Sequence, residues 1–167
     1  HSARSANPKG FFEDATINSL NEALLRGVSS ADLSEGQRWL SALPQDVEIP
    51  NLPGADATIA RLTAQTPFCF KDPRFSYTLP RWRNHLPEDA GLICVFRHPA
   101  LTAISITEEC HRAAYLSGVA MDPDRALDIW AAVYRRILSQ CEQGGHPWLF
   151  VHYDQVLNGA GIDALAQ

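Results

Sequence analysis

At 167 residues the chain is the size of one domain, and its 46% apolar and 20% charged residues fit a globular protein, not a disordered or low-complexity one. Fourteen Lys and Arg against 19 Asp and Glu give a net charge of −5, which argues against broad binding to nucleic acid or an anionic membrane. No apolar run approaches the roughly 20 residues of a spanning helix, and His1-Ser2-Ala3-Arg4 lacks the apolar core of a signal peptide, so no membrane insertion and a cytoplasmic location are expected.

In chain order, Ile17, Leu20, Leu24 and Leu25 fall on one helical face behind Asp14 as N-cap. A second helix is expected after Ser29-Ser30, where Ala31, Leu33, Trp39, Leu40 and Leu43 recur loosely at helical spacing up to Pro44. Pro44, Pro50, Pro53 and Gly54 mark a connector, followed by a short helix carrying Ile59 and Leu62. Phe68-Cys69-Phe70 has the size of a buried strand and ends in Lys71-Asp72-Pro73-Arg74. The stretch beyond it, with Phe75 and Trp82, reads as irregular. A second strand, Leu92-Ile93-Cys94-Val95-Phe96, ends in Arg97-His98-Pro99, and a third, Trp148-Leu149-Phe150-Val151, runs into His152-Tyr153-Asp154.

Between the last two strands, one helix opens at Pro99 and runs to Gly118. The next has Asp122 as N-cap, Pro123 at the first helical position, an apolar face that includes Leu127, Trp130, Val133, Tyr134 and Leu138, and Gly144-Gly145 as its stop. Trp130 and Trp148 read as core. Apolar strands alternating with helices predict a single α/β domain over residues 1–167, its parallel sheet covered by helices on both faces. The cysteines Cys69, Cys94, Cys110 and Cys141 form no CxxC pair and read as buried thiols in a reducing compartment. None of the six histidines stands in HxxxH or HExxH spacing, so no metal is predicted.

Ligands of open parallel sheets sit outside the carboxyl ends of the strands. From Lys71 to Arg97 five cations (Lys71, Arg74, Arg81, Arg83, Arg97) face three acids (Asp72, Glu88, Asp89), a local +2 that suggests an anion site. Arg97, leaving its strand directly before a helix, can fork a phosphate that also feels the helix N-terminus, and Ser105 can add a hydroxyl. The alternative pairs Arg97 with an acid at the sheet rim and leaves Ser105 as a packing residue.

Four runs, Asn7-Pro8-Lys9-Gly10-Phe11-Phe12-Glu13-Asp14, Phe70-Lys71-Asp72-Pro73-Arg74-Phe75, Val95-Phe96-Arg97-His98-Pro99 with Ser105, and Val151-His152-Tyr153-Asp154, cover nearly the whole chain. Together and in this order they resemble the bacterial sulfotransferases that use 3′-phosphoadenosine-5′-phosphosulfate. The resemblance implies a P-loop-kinase-like, three-layer α/β sandwich. It also implies that cofactor with adenosine 3′,5′-bisphosphate as product, no metal, and an acceptor hydroxyl or amine on a small molecule, lipid or carbohydrate.

By the same resemblance Arg97 and Ser105 grip the 3′-phosphate, and Lys71 stabilises charge on the transferring group. Glu13 takes the general-base position that tyrosyl-protein and several carbohydrate sulfotransferases fill with glutamate, strengthened by partial burial against Phe11 and Phe12. Asp72 and Arg74 organise the motif, and His98 positions Arg97. The plainer alternatives are that Lys71 pairs with Asp72, that Glu13 supports the first turn of the helix after it, and that Phe75 and Trp82 pack rather than stack on an acceptor. No Gly-rich phosphosulfate loop is present, so the chain is expected to be a piece of a longer protein. A non-catalytic anion- or nucleotide-binding module is therefore the second reading. A nucleotide kinase, the third, lacks a P-loop lysine.

Overall fold

The structure is a computed structural model that describes residues 13–159 except Ala31 and Glu35. Helix α1 (Ala15–Leu25) begins where expected: the Asp14 carboxylate accepts from the backbone N–H groups of Thr16 (2.8 Å) and Ile17 (3.2 Å), satisfying donors that a helix start leaves open. The second helix expected before Pro44 does not form. Gly36 takes a φ of +83°, a left-handed conformation that stops helix propagation, and only a 3₁₀ turn, Arg38–Leu40, remains. Leu33 and Leu40 nevertheless reach the core. Helix α2 (Ala55–Thr63) follows the connector and buries Ile59.

The segment Phe68–Phe70 is not assigned to a strand and has no ladder partner among the described residues. Its aromatic rings are half-buried against other rings: Phe68 stacks on Phe70 at 4.7 Å and Phe70 meets the edge of Trp82 at 5.9 Å, while Cys69 between them is exposed rather than buried. The stretch read as irregular is helix α3 (Phe75–Arg83), with Trp82 in the core. Pro80 inside α3 cannot donate to the Ser76 carbonyl, and Gln140 Nε2 donates to that carbonyl instead, at 2.9 Å.

Strands β1 (Leu92–Phe96) and β2 (Trp148–His152) pair in parallel, Leu92 opposite Trp148 and Phe96 opposite His152. Parallel pairing requires a crossover, supplied by α4 (Pro99–Arg112) and α5 (Pro123–Glu142), which pack along each other. Helix α4 ends six residues before Gly118, shorter than expected, and a 3₁₀ turn, Ala114–Leu116, fills the gap. Helix α5 matches its expected start, with Asp122 Oδ1 accepting from Arg125 N–H at 2.8 Å, although Leu127 and Leu138 face outward. It also packs on α3, and α3 on α1 and α2. A short helix, α6 (Tyr153–Leu157), leaves β2 with His152 as its cap.

The architecture is therefore mixed α/β, with a two-stranded parallel sheet among the described residues. The cover expected on both sheet faces is incomplete there: Ile93 and Val95, on one face of β1, are 54% and 49% exposed. Trp148 packs only partly buried against the core cluster of Ile17, Ile59, Leu79 and Trp82, and Trp130 is half-buried beside Tyr134. No described helix is long and apolar enough to cross a membrane.

Candidate functional site

Helix α1 carries two polar residues, Asn21 and Glu22, in or beside its apolar stripe, and both are buried. They meet the segment that leads into α3. The Asp72 carboxylate accepts from Asn21 Nδ2 at 3.0 Å, from the Arg74 backbone N–H at 2.9 Å and from Arg74 Nη1 at 2.9 Å. Arg74 Nε also donates to Glu22 at 3.2 Å, and Glu22 pairs in turn with Arg38. The Asn21 carbonyl oxygen accepts from Thr78 Oγ1 and Trp82 Nε1, each at 2.9 Å. A buried charge is tolerable only when so paired, and this network fixes the backbone that presents Lys71.

Above it lies a cleft of about 570 Å³, lined by Glu13, Asn18, Lys71, Arg74, Trp39 and Tyr115 among others. Lys71 is ion-paired with Glu13, not with Asp72 as the plainer alternative had it. Asn18 Nδ2 donates to the second Glu13 oxygen at 3.0 Å, so the carboxylate is oriented from two sides. Asp72 and Arg74, expected to organise a strand end, bond to each other and to α1 instead, and Arg74 is held within that network rather than offered to an anion. Phe11 and Phe12, invoked beside Glu13, lie outside the described residues, as do Asn7 to Gly10.

Arg97, His98 and Ser105 do not line this cleft. They stand at the carboxyl end of β1 and on α4, where the Arg97 guanidinium lies over the Tyr153 ring, 5.4 Å from its centroid. No acid pairs with Arg97 among the described residues. His98 is the exposed cap residue of α4 without a side-chain capping bond, and Ser105 is exposed on that helix. The local excess of cations is largely used structurally: Arg81 binds Asp56 at 2.8 Å and Asn51 at 2.9 Å, and Arg83 donates to the carbonyls of Gln140 at 2.8 Å and Gly144 at 3.1 Å. Of the five cations counted toward an anion site, Lys71, Arg74, Arg81 and Arg83 are thus held by carboxylates or backbone carbonyls of the protein, and Arg97 lies over the Tyr153 ring. Phe75 and Trp82 pack edge to face at 5.1 Å, with Trp82 in the core, so they form no acceptor wall.

Comparison of the chain with protein-family models, curated proteins and solved structures returned no match.

Asn21, Glu22, Arg38, Trp39 and Tyr115 were not anticipated as site residues. Asn21 carried a readable signal, being a polar residue four after Ile17 and three before Leu24 within an apolar stripe. Trp39 and Tyr115 carried none, because nothing local in the sequence brings the turn at Arg38–Leu40 next to that at Ala114–Leu116.

Proposed function

We propose that the chain is the core of a sulfotransferase that moves a sulfuryl group from 3′-phosphoadenosine-5′-phosphosulfate to a hydroxyl or amine, within a P-loop-kinase-like, three-layer sandwich. The observation that carries this reading is the meeting of Glu13 and Lys71, far apart in sequence, in one cleft. These are the two residues to which the sulfotransferase resemblance gives the chemistry.

Arg97 fits a phosphate: it is unpaired with any acid among the described residues and directly precedes the start of α4, where first-turn N–H groups have no partner within the helix and no side chain caps them. Ser105 would add a hydroxyl and His98 would stay a positioning residue. The cofactor, when bound, supplies the sulfuryl group. Glu13, oriented by Asn18, receives the acceptor's proton, and the Lys71 ammonium offsets negative charge as the acceptor's bond forms. The rigid network under Lys71 keeps that charge in place without reorganisation.

The second reading, a non-catalytic nucleotide-binding module, is favoured by one feature: both Glu13 oxygens already accept a hydrogen bond. The test is calorimetric titration with adenosine 3′,5′-bisphosphate beside 5′-AMP. Binding that needs the 3′-phosphate and weakens about tenfold or more in Arg97→Ala supports nucleotide recognition, since a charge-assisted bond contributes roughly 1.5–3 kcal/mol. Equal affinity of Arg97→Ala and native protein removes Arg97 from the site. Transfer of radiolabelled sulfate to a hydroxyl acceptor then separates enzyme from module.

A further inference from the structure

Among the described residues, the lining of the Glu13–Lys71 cleft holds polar, charged and aromatic side chains with Pro73 and Gly36, and no Leu, Ile, Val, Met or Phe. Those residues offer an acyl chain no aliphatic side chain. What the cleft does offer is two aromatic rings beside carboxylate, amide and hydroxyl groups, from Glu13, Asn18 and Ser19.

Both aromatics are tied to the fold. Trp39 packs against the core cluster of Leu33, Leu40 and Leu116 while also lining the cleft, so it acts as a supported platform. Tyr115 donates its hydroxyl to Glu109 at 2.7 Å, and its backbone carbonyl accepts from Gln37 Nε2 at 2.8 Å. Ring and backbone are thus tied separately, and Tyr115 remains 41% exposed. Platforms ordered in advance lose little freedom when something stacks on them.

From this geometry we infer that the cleft takes a carbohydrate, a pyranose ring lying against Trp39 and Tyr115 with its hydroxyls toward Glu13, Asn18 and Ser19. The C–H faces of a sugar ring carry partial positive charge and pack on the negative face of an aromatic quadrupole. Its hydroxyls both donate and accept, which matches a lining of carboxylate, amide, hydroxyl and ammonium groups, and one of them would be the group that Glu13 deprotonates. The inference rests on the reading of this cleft as an acceptor site, and it narrows hydroxyl or amine to the hydroxyl of a sugar.

The test needs no nucleotide. Maltose, cellobiose, lactose and N,N′-diacetylchitobiose are titrated by saturation-transfer NMR and tryptophan fluorescence, beside 1-hexanol as an aliphatic alcohol and 4-methylphenol as an aromatic one. Saturable binding of at least one disaccharide, weakened tenfold or more in both Trp39→Ala and Tyr115→Ala, is the expected result. Tyr115→Ala is the safer variant for folding because the ring is exposed, and it decides the matter if Trp39→Ala fails to fold. Binding of 1-hexanol or 4-methylphenol without any disaccharide, no binding at all, or disaccharide affinity unchanged by Tyr115→Ala overturns the carbohydrate assignment. The adenosine 3′,5′-bisphosphate titration reports separately: disaccharide binding without nucleotide binding keeps the sugar site and removes sulfuryl transfer, and the converse removes the sugar site alone.

Discussion

Replacing Arg74 by methionine keeps an unbranched side chain but removes a guanidinium that belongs to a residue only 6% exposed. The change deletes the bond to Asp72 at 2.9 Å and the bond to Glu22 at 3.2 Å. Removing one member of a buried ionic group costs roughly 3–5 kcal/mol, because the partner charges stay behind in a medium that solvates them poorly. Two features pull the cost to the lower end. Glu22 keeps Arg38, and Asp72 keeps Asn21 at 3.0 Å and the backbone N–H of residue 74 at 2.9 Å. The expected loss is therefore about 3 kcal/mol, a large share of the roughly 5–15 kcal/mol that holds a domain together. In urea unfolding followed by circular dichroism, the midpoint should fall by roughly 1–3 M with an unchanged slope. Glu22→Gln should cost less in the Arg74→Met background than in the native protein, with a coupling of about 1 kcal/mol or more. A loss below about 1 kcal/mol, or strictly additive costs, would refute a single buried ionic unit beneath the cleft.

Alkaline stability follows from the groups around the sheet. Burial pushes the Cys94 thiol from 9.0 up to about 11, and Tyr134, raised by burial and then by Cys94, to about 12. Each is neutral when protonated, and the unfolded chain gives up its proton first. The contribution of Cys94 is therefore fully present below pH 9 and lost as pH rises toward 11, at most about 3 kcal/mol at 1.36 kcal/mol per unit. Cys94→Ala should flatten the urea midpoint between those two pH values, and a midpoint that falls equally in both proteins would exclude the thiol as the cause. In the proposed reaction, Glu13→Gln should lower turnover far more than it lowers affinity for adenosine 3′,5′-bisphosphate. Native turnover in that variant would end the assignment of Glu13 as base.

The sequence by itself determined the elements whose signals are local. Asp14 and the Asp122-Pro123 pair set helix starts through hydrogen bonds within three residues, and the apolar run Leu92–Phe96 was long enough to be read as a strand. Where local signals were weak, tertiary packing decided. Phe68 and Phe70 alternate as a strand would, yet they half-bury their rings against each other and Trp82, with no neighbouring strand among the described residues. The loose periodicity before Pro44 yielded to the positive φ of Gly36.

The candidate site divides in the same way. Glu13, Lys71, Asp72 and Arg74 were legible as motif residues, but their pairing was not: Lys71 had the adjacent Asp72 available and instead meets Glu13, because Arg74 and Asn21 already occupy Asp72. Choice among partners is settled by which charges are buried together, a property of the packed chain rather than of any window along it. Trp39 and Tyr115 share a cleft only because the turn at Arg38–Leu40 and the one after α4 join the same core cluster, through Leu40 and Leu116. That cluster draws residues from more than 70 positions apart, as the bond from Gln37 to Tyr115 across 78 residues records.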